Sequence, residues 1–363
     1  MSVEELSDNI QKSLDKIDFG DLDTIAGELD GQFNLFGGDN FTTKIGKILS
    51  GEFGTDFPNI FAALFNVLGG VVMDVLPVLM LIVAISILSG FIQSLRHDSD
   101  NGGVRDIIHF VTYAAIVVIV LYCVADITIM AGKTLSSMKT QMDIIFPLLL
   151  TLMAAIGGAV SVSVYQPAVV MLSAAIMQIF SYIVMPLFII TLVFSVVGNL
   201  SNSAKYDRFV SFFTSTFKWI LGVTFTIFLA FLTVQGITAG THDGVSVRAA
   251  KLTISSYVPF LGGYISQGFD LVLASSILIK NAIGLAGLYL LFGVVLGPIL
   301  KIAVFMLMLK LAAAITQPLS DGRISNFLVG ISKSFSMLIA CLVGAAFMYF
   351  LTIGLIIVTG NIL

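Results

Sequence analysis

The chain has 363 residues, of which 57% are hydrophobic and only 11% charged, with a net charge of −4 and a mean hydropathy of +1.03. Values so far toward the apolar side exclude an ordinary soluble domain. They predict an all-α, polytopic integral membrane protein of about seven to eight transmembrane helices, with no nucleic-acid partner. Residues 144–204, 219–241 and 334–363 carry no charged side chain at all, and a helix needs only roughly 20 apolar residues to cross about 30 Å of hydrocarbon.

In chain order, residues 1–57 form an acidic polar segment, with twelve acids against Lys12, Lys16, Lys44 and Lys47. The remainder of the chain is therefore net basic. Val3, Ile10, Leu14 and Ile17 approach helical spacing and suggest a short surface helix; a solvated tail is the simpler expectation. Met1 is followed by "SVEELSDNI", which has neither the basic start nor the apolar core of a secretory signal.

Residues 58–363 form the membrane domain. Residues 57–73 read as an interfacial helix, and spans are expected at 76–95, 107–130, 144–163, 167–200, 219–240, 258–279, 282–309 and 335–358. Several are interrupted. Pro186 and Pro298 stand in the middle of runs, and "AAIGGAVSVSVYQP" separates two spans. A broken helix in lipid needs its freed backbone groups satisfied by protein or by a wet cavity, so such breaks mark either a packed kink or a pathway.

The breaks suggest an internal repeat over 144–240 and 256–358. Pro147 and Pro186 are 39 residues apart, as are Pro259 and Pro298. Each pair precedes an amphipathic stretch with one spacing: Tyr206, Phe209, Val210, Phe213 and Phe217 in the first, Ile324, Phe327, Leu328, Ile331 and Phe335 in the second.

Charge within this apolar body falls in a few blocks. "DGVSVRAAKLTISSYVPFLGG" places Asp243, Arg248 and Lys251 beside apolar residues, with Arg248, Lys251 and Ser255 on one helical stripe and Val245, Ala249 and Leu252 on another. That pattern predicts a helix over 245–255 lying at the membrane surface, its basic side chains reaching toward water or headgroups. Lys280 and Asn281 stand between apolar runs, Lys301 follows Pro298 by three residues, and Lys310, Gln317 and Pro318 follow another run. A charge within a span is costly unless it meets protein or water, so Lys280 is expected to face protein and Lys301 is a pathway candidate. Asp74 and Asp126 are expected at span ends. The lysines and arginines divide almost evenly between the two sides, so charge does not fix the orientation.

Cys123 and Cys341 lie in apolar runs and read as small hydrophobes. His97, His109 and His242 are scattered, and no Walker loop, nucleophile elbow or H-E-x-x-H is present. The chain is not read as an enzyme, and no metal or cofactor is expected.

The series "MAAIGGAVSVSVYQP", "DGVSVRAAK", "VPFLGGYIS", "ASSILIKNAIGLAG" and "KLAAAITQPLSDGR", in that order, resembles the stage III sporulation protein AE family of endospore-forming bacteria from about residue 76 onward. The motif positions are Gly157, Gly158, Gln166, Pro167, Asp243, Arg248, Lys251, Pro259, Gly262, Lys280, Asn281, Gly284, Lys310, Gln317 and Pro318. The resemblance implies no catalytic residue. It implies a protein of the mother-cell membrane around the engulfed forespore, working with an ATPase-like component and ring-forming subunits in a secretion-like channel. Family members usually begin with a signal peptide, which is not read here. The glycines and prolines are expected to shape backbone packing. A free-standing secondary transporter and a membrane scaffold without its own pathway are the competing readings, and self-association is compatible with each.

Overall fold

The computed structural model describes residues 19–33, 39–50, 57–95, 102–156, 159–200, 206–239, 262–318 and 322–359. Among them every element is helical: α1 (Gly20–Phe33), α2 (Phe41–Leu49), α3 (Phe57–Leu95), α4 (Gly102–Ala155), α5 (Ala159–Ile179), a π-helical turn (Phe180–Val184), α6 (Met185–Leu200), α7 (Asp207–Ala239), α8 (Gly262–Thr316) and α9 (Arg323–Thr359).

Six stretches among the described residues are long and apolar enough to cross a membrane: Phe65–Ser89, Phe110–Ala155, Pro167–Gly198, Arg208–Val234, Leu273–Thr316 and Arg323–Thr359. Two pairs of the expected spans are each joined in one continuous helix. Residues 131–143, read as a connection, continue α4 because Ala131, Leu135, Met138 and Met142 keep a buried apolar stripe beneath the polar residues. Residues 280–281 likewise interrupt nothing, since no helix breaker stands beside them, and α8 runs through. At about 1.5 Å per residue, α4 and α8 are each roughly 80 Å long. The helix expected over 57–73 is continuous with the first span in α3.

The α8–α9 pair forms the centre, with α3 and α4 against α8 and with α6 and α7 against α9. Its antiparallel register is marked by Phe305 on Phe335, ring centroids 5.3 Å apart, and Phe292 on Phe350, 6.4 Å apart. Ser332 Oγ also donates to the Met306 carbonyl at 3.1 Å. Close approach at the far end requires glycine. A Cβ on Gly284 would stand 2.5 Å from Ile357 Cδ1, and one on Gly287 would stand 2.9 Å from Ile145 Cδ1 of α4. Hydroxyls in the apolar helices turn back on their own backbone, as Thr191, Thr224 and Thr352 do by donating to the carbonyl four residues earlier.

Pro186 and Pro298 have different local consequences. Pro186 has no N–H for the Tyr182 carbonyl and its ring crowds that position, and the chain widens into the π turn just before it. Pro298 is buried within the continuous α8. The second amphipathic stretch opens α9 with Ile324, Phe327, Leu328, Ile331 and Phe335 all buried, whereas in the first only Phe217 is buried.

Part of the acidic segment is docked. In α2, Phe41 and Ile45 are buried, and the helix packs on α8. Asp23 of α1 accepts from both N and Oγ1 of Thr42 at 3.2 Å. Lys47 donates to Asp39 at 2.6 Å, and Lys44 Nζ lies 3.5 Å from Asp39 and 5.0 Å from the Tyr289 ring centroid.

Candidate functional site: a polar seam among three long helices

Polar groups inside this bundle occur at separate levels along α4, α8 and α9, which pack on one another. Lys280 lies one turn before Gly284 on the α8 face toward α9, and its side chain is fully buried. Its Nζ donates to the carbonyls of Ile357 at 2.9 Å and Ile356 at 3.4 Å. These carbonyls belong to the last turn of α9, where a helix has no backbone donors left and its dipole is negative. A cation from a neighbouring helix thus caps α9, and this is how the seam accommodates a lysine amid apolar residues.

The adjacent Asn281 is half-buried, and its Oδ1 is buried with no hydrogen-bond partner among the described residues. On α4, Gln141 is fully buried and neither of its amide atoms has a partner among the described residues, nor does the buried Tyr349 hydroxyl on α9. Tyr349 packs its ring on Phe146, five residues beyond Gln141, at 5.4 Å. An unsatisfied amide or phenol in an apolar interior is costly. These atoms retain capacity for water or a polar solute.

Lys301 and Asp126 form an ion pair at 3.2 Å between α8 and α4, with side chains 32% and 62% exposed. Asp126, expected at a span end, is the counter-ion of Lys301, the pathway candidate. The remaining sequence candidates do not join this seam. Lys310, Gln317 and Pro318 are exposed at the other end of α8, with 30 residues or about 45 Å of helix between Lys280 and Lys310. Pro167 is exposed on α5, which also contains Gln166. Asp243, Arg248, Lys251, Pro259, Gly157 and Gly158 lie outside the described residues, as does the surface helix expected over 245–255.

Sequence reasoning missed Gln141 and Tyr349. Gln141 falls in "KTQMD", which reads as a polar connection when only apolar runs are counted. The signal that was available is the buried stripe of Ala131, Leu135, Met138 and Met142, which places Gln141 on its edge.

A family model described as stage III sporulation protein AE matches residues 40–360. The chain is also similar to the Stage III sporulation protein AE of Bacillus subtilis (strain 168), with 29% identity over 281 residues covering 77% of this chain and 70% of that relative. No solved structure matches.

Proposed function

The chain belongs to the stage III sporulation protein AE family, and from that premise we propose that it is the membrane channel or platform subunit of a sporulation-specific transport complex. In this reading it sits in the mother-cell membrane around the forespore and works with an ATPase-like component and ring-forming subunits. The observation that carries the reading is the seam itself: a capped buried lysine and unpartnered amide and phenol atoms within a bundle of apolar helices. An ionisable side chain inside a span is expensive to keep, and such residues commonly line substrate or ion pathways.

Lys280→Leu tests the seam. The variant is expected to reach the membrane fraction at the normal level while spore yield falls; normal spore yield would remove Lys280 from the mechanism. A free-standing secondary transporter is the second reading, supported by the π turn ahead of Pro186 within an uncharged span. Ion-coupled uptake by the purified chain in liposomes would favour it.

A further inference from the structure

Three contacts relate depths on the long helices. The ion pair brings residue 301 of α8 level with 126 of α4. At Gly287 of α8, an added Cβ would meet Ile145 of α4 at 2.9 Å and Ile353 of α9 at 3.5 Å. Phe305 on Phe335 places residue 301 near 339 of α9. Between these levels, residues 288–300 of α8 and 340–352 of α9 hold no charge. The interval is on the order of 20 to 30 Å, comparable to the hydrocarbon core of a bilayer.

The same interval of α4 is different. Lys133, Ser136, Lys139, Thr140 and Asp143 are all exposed and, with Asp126, follow one side of the helix. The opposite side is buried on the bundle through Ile127, Ala131, Leu135, Met138, Met142 and Ile145. Lys133, Lys139 and Asp143 form no ion pair or hydrogen bond with another described residue. A second, independent feature lies at this depth. The charged α1–α2 pair rests against α4 and α8, with Lys44 over Tyr289, two residues past Gly287.

Lipid against the outer face of α4 would strand its exposed Lys133, Lys139 and Asp143, whereas water solvates them. We propose that a water-filled vestibule reaches bilayer depth here, with the outer face of α4 as its wall and the α1–α2 pair beside it, open to hydrated polar solutes. Its role as part of a pathway rests on the transport reading; its wetness does not.

The test uses the full chain, made alone in a non-sporulating host, with Cys123→Ala and Cys341→Ala as background. Single cysteines replace Ser136 and Thr140 on the α4 face, and Val343 and Phe292 on exposed apolar surface of α9 and α8 in the same interval. Sealed and opened membranes are treated with a membrane-impermeant maleimide, and labelling after denaturation confirms that each variant is present. Labelling at 136 and 140 with none at 343 and 292 is the expected result. Labelling at all four positions would place this level outside the membrane and overturn the proposal. Failure to label 136 and 140 would overturn it equally. Because no sporulation partner is present, neither result depends on whether the chain works in a complex.

Discussion

At the scale of single residues, the Lys280 contact explains how a cation is held inside an apolar bundle. Lys280→Leu removes the donor to the last-turn carbonyls of α9 and is expected to destabilise the protein by about 1 to 3 kcal/mol. Thermal unfolding in detergent measures this, and an unchanged midpoint would contradict the capping role. The Asp126–Lys301 pair makes a reciprocal prediction. Asp126→Lys or Lys301→Asp leaves like charges together at a partly exposed site, where an ion pair is worth about 0.2 to 1 kcal/mol after solvent screening. Each single exchange is expected to lower membrane accumulation, and the double exchange to restore it; failure of the double variant to recover would show that the pair is incidental. The inward turn of Lys280 was legible from the cost of a charge in hydrocarbon. Its acceptors were not, because backbone carbonyls 76 and 77 residues away leave no mark in side-chain chemistry. The partner of Lys301, 175 residues distant, likewise depends on a tertiary register that local pattern does not encode.

At the scale of elements, glycine spacing sets how closely α8 and α9 approach. Gly284→Leu would drive a branched side chain into Ile357 and is expected to cost about 1 to 3 kcal/mol by overpacking, read as a lower unfolding midpoint in detergent; a neutral outcome would mean that the interface is looser than the structure indicates. Helix existence was legible from apolar runs, but helix continuity was not. Counting hydrophobic residues divides α4 at its polar segment and α8 at Lys280 and Asn281, whereas the chain divides only where backbone geometry requires it. The buried stripe from Ala131 to Met142 is the local signal that outweighs charge in α4. Proline is a similarly incomplete guide, since Pro186 follows a π turn while Pro147 and Pro298 lie inside unbroken helices. The common apolar spacing at the starts of α7 and α9 keeps an ancestral duplication as a proposal. It would be contradicted by a solved structure in which residues 144–240 and 256–358 do not superpose.

At the scale of the whole molecule, composition alone established a helical membrane protein, and the arrangement adds a central α8–α9 pair whose polar seam is isolated from the exposed end at Lys310 and Gln317. A subunit of a larger assembly needs such a division, with one region for polar contact inside the bundle and exposed ends available to partners. The central claim, that this chain acts within a sporulation transport complex, is tested most directly by affinity purification from gently solubilised membranes of sporulating cells. The expected result is co-isolation with the ATPase-like and ring-forming subunits, lost when those subunits are deleted and absent from membranes of vegetative cells. Recovery of the chain alone from sporulating membranes, together with ion-coupled uptake when it is reconstituted in liposomes, would contradict the account and identify a free-standing transporter.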